Sequence, residues 1–241
     1  GEQYSDVTTI NNSNVVSGYS SGLIYNQRAT IWTSPTTYTS LVGHDVNFSN
    51  EVVINEQATV AATYFNFQGN GSGMVYWDTN SDQLQGPVRG NVIDMNDGND
   101  ILAYKTSGGA ASFIHERDGD ERFLALPVSG YMFGAAALNN AQGVVGYCNS
   151  CGGDSNRALY WNPTDGVRFI DDLVDLPATG PLSNLRIYDA RDINDQGWII
   201  ALADDLSTQN VEAIGVLLAP VPEPETYALM LAGLGLVGFA A

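Results

Sequence analysis

Apolar residues along this chain come in short runs, broken by polar and glycine-rich stretches, and the runs recur with a long period. Five segments share one arrangement: an apolar residue, an asparagine, a polar residue, then a second apolar run. They are Ile10-Asn11-Asn12 before Val15 to Tyr19, Ile54-Asn55-Glu56 before Val60 to Tyr64, and Met95-Asn96-Asp97 before Ile101 to Tyr104. Leu138-Asn139-Asn140 before Gly143 to Tyr147 and Ile193-Asn194-Asp195 before Gly197 to Ala201 complete the set. The asparagines stand 44, 41, 43 and 55 residues apart. Farther along each repeat comes an apolar doublet: Ile31-Trp32, Tyr76-Trp77, Phe113-Ile114, Tyr160-Trp161 and Val216-Leu217. Recurrence at such a period is the mark of a repeat architecture.

The fourth repeat parses most easily. A short strand ends at Leu138, a polar turn follows, and Gly143 to Tyr147 forms a second strand. Ala158 to Trp161 makes a third, and Val167 to Ile170 a fourth, after the turn Asn162-Pro163-Thr164-Asp165-Gly166. Proline, aspartate and glycine supply the backbone angles that tight turn needs. Four short strands cannot bury their own faces, whereas a ring of such units can, leaving only short protected edges. The pattern predicts an all-β chain, a five-bladed β-propeller-like repeat domain over residues 1–219. An open β-array or sandwich is the competing architecture. Asn70-Gly71-Ser72-Gly73 reads as a flexible loop, and Asp118-Gly119-Asp120-Glu121 as a hairpin turn.

The end of the chain changes character. Prolines at alternating positions in Pro220-Val221-Pro222-Glu223-Pro224-Glu225 favour extended, exposed backbone, so residues 220–225 read as a linker. Residues 226–241 carry no charge and are apolar on every face, as a membrane helix is and a globular surface helix is not. Tyr227, Leu229, Leu231, Leu234, Leu236 and Phe239 would form its lipid-facing body. Fifteen helical residues cover roughly 22 Å, short of a ~30 Å hydrocarbon core, so the span is marginal. Gly233-x-Gly235-x-x-Gly238 matches a dinucleotide-binding pattern only in letters, because no strand precedes it and no acid follows. These small residues suit close helix packing in lipid instead. At the other end, Gly1-Glu2-Gln3-Tyr4 opens directly into polar sequence, as a processed mature form would.

Val221-Pro222-Glu223-Pro224, followed by TYALMLAGLGLVGFAA, resembles the PEP-CTERM sorting signal of Gram-negative bacteria. The resemblance implies export to the cell envelope or surface, with an exosortase acting on the tail. The family's basic cluster has no counterpart after Phe239. A second resemblance lies in ALNNAQGVVGYCNSCGGDSNRALYWNPTDG and in Ala190 to Gly197, which look like the extracellular HAF repeat. Arg157-Ala158-Leu159 and Arg28-Ala29-Thr30 stand where that repeat has its naming triplet. It implies export and a β-repeat fold, not an activity.

Charge narrows the field further. Twenty-seven acidic against nine basic side chains give a net charge of −18. Nucleic-acid binding needs a basic face, so it falls away as a function. Cys148-x-x-Cys151 lacks the following histidine of a haem site and the second pair of a structural zinc site. In an exported chain it reads as a local disulfide. Asp94, Asn96 and Asp100 offer oxygen at alternate positions, as a calcium loop does. The glycine and glutamate of an EF-hand are replaced by Asn99 and Lys105, so they are a weak calcium candidate and no other cofactor is implied. His44 and His115 lie in different repeats without a recognisable nucleophile. Trp32, Trp77 and Trp161 recur at one repeat position, as blade core does.

These readings converge on a non-enzymatic exported protein. It would be held by the membrane through its tail, or released after processing, as an envelope or exopolysaccharide-matrix component or an accessory subunit of a membrane assembly. The competing expectation is a carbohydrate-binding, lectin-like module.

Overall fold

A computed structural model of the chain describes residues 4–21, 27–41, 51–66, 71–78, 83–88, 90–105, 111–126, 132–151, 155–177, 179–180, 182–207 and 213–220, with the backbone alone over 64–66, 71–72, 78 and 83–88. Among them there is no α-helix, and a single 3-10 turn covers Ile170–Asp172. The strands fall into five separate antiparallel sheets, each a meander in chain order. Sheet one holds β1 (Ser5–Ile10), β2 (Val16–Ser21), β3 (Gln27–Ser34) and β4 (Thr37–Ser40). Sheet two holds β5 (Val52–Ile54), β6 (Thr59–Asn66), β7 (Gly71–Asp78) and β8 (Gln83–Val88). Sheet three holds β9 (Asn91–Met95), β10 (Ile101–Lys105), β11 (Ala111–His115) and β12 (Glu121–Phe123). Sheet four holds β13 (Phe133–Leu138), β14 (Val144–Cys148), β15 (Arg157–Asn162) and β16 (Gly166–Phe169). Sheet five holds β17 (Leu185–Ile193), β18 (Ile199–Asp205) and β19 (Ala213–Leu218).

Each of the five asparagines ends the first hairpin of its sheet in the same turn. Its backbone N–H donates to the carbonyl four residues on, at 3.0–3.1 Å in all five. The residue three places after it, Asn14, Ala58, Asn99, Gln142 or Gly197, has φ between 58° and 77°. A three-residue hairpin loop closing through a left-handed residue has this form. The asparagine Oδ1 accepts the N–H of the fourth residue, at 2.7 Å from Gly143 and 2.9 Å from Val15, Thr59 and Trp198. A carbonyl oxygen on a short side chain is what the turn requires, which is why asparagine recurs there.

The sheets stack face to face, and the core lies between them in four clusters, one at each junction. Strand alternation sends successive side chains to opposite neighbours. In sheet three, Ile101, Ala103 and Phe113 pack toward sheet two, while Leu102 and Ile114 pack toward sheet four. First strands also meet first strands from sheet to sheet. The arrangement is thus a propeller-like fan of five sheets.

Three findings bear on the sequence expectations. The fifth sheet has three strands among the described residues, which end at Pro220. No closed ring is found: among the described residues no hydrogen bond or core cluster joins sheet five to sheet one. Gly71, Ser72 and Gly73 belong to β7, opposite Asn66, Phe65 and Tyr64, and are not a loop. Strand pairing outweighs their flexibility. The helix expected over 226–241 lies outside the described residues, and among those described no helix is long and apolar enough to cross a membrane.

Candidate functional site

The anchor turns do more than close hairpins. In sheets one to four the asparagine Nδ2 donates to the backbone carbonyl of the next sheet's asparagine: Asn11 to Asn55 at 3.1 Å, Asn55 to Asn96 at 3.1 Å, Asn96 to Asn139 at 3.4 Å and Asn139 to Asn194 at 3.1 Å. A second ladder runs beside the first. The N–H of the residue after each asparagine donates to the side chain of its counterpart one sheet on: Asn12 to Glu56 (2.8 Å), Glu56 to Asp97 (2.9 Å), Asp97 to Asn140 (2.7 Å) and Asn140 to Asp195 (2.8 Å). Asn140 Nδ2 also bridges the carboxylates of Asp97 and Asp195, at 2.7 and 2.8 Å. The outcome is a continuous polar seam along one end of all five sheets.

The expected calcium ligands belong to this seam. Asp94 Oδ1 accepts the Met95 N–H and Oδ2 accepts the Leu138 N–H of sheet four, both at 2.8 Å. Burial pushes its carboxyl up to about 6, against the lowering pull of those two donors. Asn96 Oδ1 accepts the Asp100 N–H at 3.0 Å, and Asp100 Oδ2 accepts from Gln142 of sheet four at 2.8 Å. Among the described residues no three acidic, histidine or cysteine side chains gather as a metal-holding group.

Cys148 and Cys151 form a disulfide with Cα atoms 5.6 Å apart, and Cys148 packs into the core between sheets three and four. Asp118 to Glu121 make the β11–β12 hairpin turn, with Gly119 at φ +97° and its N–H on the Glu116 carbonyl at 2.9 Å. His115 is buried on β11, and desolvation holds it below its ordinary value despite the acids Glu121 and Asp118. His44 lies outside the described residues, as do Val221, Pro222, Glu223 and Pro224 of the sorting motif and Tyr227, Leu229, Leu231, Leu234, Leu236 and Phe239 of the tail. Trp77 and Trp161 are buried at inter-sheet junctions. Trp32, at the same repeat position, is only half-buried and lines a hollow of about 510 Å³ with Asp6, Val7, Val16 and Pro35.

Sequence reasoning missed the inter-sheet role of the polar residues flanking each asparagine. The signal is there to be read: Asn12, Glu56, Asp97, Asn140 and Asp195 all follow their anchor directly.

The PEP-CTERM protein-sorting motif matches residues 220–241. No curated protein matches the chain. Among solved structures, it is similar to TolB from Acinetobacter baumannii, at 10% identity and a TM-score of 0.51, over 90% of this chain and 58% of TolB. It is also similar to a prolyl endopeptidase, at 9% identity and a TM-score of 0.51, over 91% of this chain and 43% of the endopeptidase. The chain therefore spans about half the length of these structures, and the likeness bears on fold alone. That fold is β-propeller-like. The motif indicates an exported protein sorted to the envelope through an exosortase.

Proposed function

We propose that the chain is a non-enzymatic surface protein of a Gram-negative envelope, serving as a component of the envelope or its exopolysaccharide matrix or as an accessory subunit of a membrane-associated assembly. The observation that carries this reading is the sorting motif over residues 220–241, which makes the β-propeller-like domain ahead of it exported cargo. The resemblance of the repeats to extracellular HAF repeats supports the same reading. So does the use of the polar seam: its asparagines and carboxylates are engaged with one another and with backbone N–H groups, holding sheet to sheet.

The test is intact mass on native protein from membrane and medium fractions, compared with a variant carrying Pro222→Ala, Glu223→Ala and Pro224→Ala. The parent is expected at the cell surface, with a mass and partition that depend on the motif. A triple variant of unchanged surface yield, mass and partition would sink the proposal.

A further inference from the structure

The repeats permit a position-by-position comparison of what each sheet shows its two neighbours. Toward the following sheet, the position six places after the asparagine is Ser17, Ala61, Leu102 and Val145 in sheets one to four, each 0% exposed. In sheet five it is Ile200, which is 49% exposed. Its cross-strand partner Leu217 is 60% exposed. The counterparts Ile31, Tyr76, Ile114 and Tyr160 all pack against the next sheet. Toward the preceding sheet, the residue just before the asparagine is Ile54, Met95, Leu138 and Ile193 in sheets two to five, each 5–7% exposed. In sheet one it is Ile10, which is 63% exposed. Trp32 is left half-open beside it, where Trp77 and Trp161 are covered.

The polar groups follow the same logic. Among the described residues, Asn194 Nδ2 and the Asp195 N–H have no acceptor, although every earlier counterpart donates to the next sheet. Asp192 Oδ1 accepts the Ile193 N–H at 2.8 Å, as Asp94 Oδ1 accepts that of Met95. Asp94 Oδ2 then holds the next sheet's Leu138 N–H, and Asp192 Oδ2 stands ready to do the same for Ile10. Sheet one presents the matching partners: the Asn11 carbonyl and the Asn12 side-chain oxygen as acceptors, and the Ile10 N–H as donor.

We infer that sheet five of one copy docks on sheet one of a second copy, repeating the junction the chain already makes four times. Ile200 and Leu217 pack on Ile10 and Trp32, while Asn194 and Asp195 extend both ladders into the neighbour. The occupant is a second copy because its sheet one carries every group that sheet five lacks, and among the described residues the chain's own sheet one is not joined to sheet five. Unlike faces meet, so the contact is heterologous. It generates a ring where the rotation closes and a filament where it does not.

The test uses the full chain in a mild nonionic detergent, by sedimentation across a concentration series. The parent should assemble beyond one copy. Ile10→Asp and Ile200→Asp each place a charge in the junction and should weaken assembly by at least about 100-fold. Mixed together, they should recover a one-to-one pair, since the first retains a working sheet five and the second a working sheet one. Both positions are exposed, so circular dichroism should show the parent's sheet content; Leu217→Glu replaces Ile200→Asp if that chain fails to fold. A monomeric parent, single variants that assemble like the parent, or a mixture that stays monomeric would each overturn the inference. The last outcome would point to a symmetric contact or to closure of the chain on itself.

Discussion

Removing the asparagine side chain at two equivalent positions should have unequal costs, and the inequality is set by the ladder. Asn139 is buried, and its Oδ1 accepts from Gly143 at 2.7 Å and Ala141 at 3.1 Å, while Nδ2 donates to the Asn194 carbonyl at 3.1 Å. Asn139→Ala strips a partner from two N–H groups and one carbonyl. At about 1 kcal/mol for each of the three net hydrogen bonds, plus about 1 kcal/mol or more for an orphaned buried donor, the loss is at least about 4 kcal/mol. Asn194 makes the same turn, accepting from Gln196 at 3.0 Å and Trp198 at 2.9 Å, but it is exposed and donates to no other sheet among the described residues. Water replaces its bonds, so Asn194→Ala should cost about 1 kcal/mol. Urea unfolding followed by tryptophan fluorescence measures both, on an Ile10→Asp background that keeps the Asn194 face in solvent. Equal costs, or a larger one at Asn194, would show that the turn alone and not the inter-sheet bond makes these asparagines matter.

Other positions give sharper local tests. Ala58 sits at φ +60°, where a Cβ is strained and glycine is not, so Ala58→Gly should stabilise by roughly 0.5–1 kcal/mol and raise the melting temperature by about 2 °C. Gly146 faces the β13 bulge, and a Cβ there would run into the Gly134 carbonyl oxygen and the Ala135 backbone. Gly146→Ala should therefore cost more than about 3 kcal/mol, whereas Gly166→Ala, at φ +71° with open space around it, should lose only about 1 kcal/mol from strain. Differential scanning fluorimetry of the pair decides whether close approach or backbone angle is the greater constraint. The Asp94 carboxyl lies up at about 6 in the folded chain, above the ~3.9 of an unfolded one. Folding then takes up a proton between those values, and Asp94's contribution falls as pH rises through that window and levels off above it. Relative to Asp94→Asn, the parent should lose on the order of 2 kcal/mol between pH 4 and 7; a pH-independent difference would refute the burial argument.

Much of this architecture is legible in the amino-acid sequence itself. The recurrent asparagine locates all five first hairpins, because a turn with a left-handed residue and a side-chain oxygen acceptor is a local demand. The strands of sheet four follow from alternation and turn residues alone. What cannot be read there is anything depending on which sheet stands beside which. Asp94 looks like a calcium ligand by spacing, yet its second oxygen meets Leu138, 44 residues away. Five equivalent units suggest a closed ring. Whether the last unit meets the first depends on the summed rotation between sheets, which no single repeat encodes.

The ladder also asks little of the side chains in each repeat. Its acceptors along the asparagine line are main-chain carbonyls, and in the parallel line the donors are main-chain N–H groups. A neighbour offers these whatever its side chains are. Each repeat must therefore keep only one asparagine, one carboxylate or amide beside it, and apolar residues at alternating positions. Glutamate, aspartate and asparagine serve equally at the second position, as Glu56, Asp97, Asn140 and Asp195 do. The seam makes no demand on the side chains of the outer strands and loops. An exported repeat protein can then change the surface it presents while keeping the junctions that hold its sheets in line.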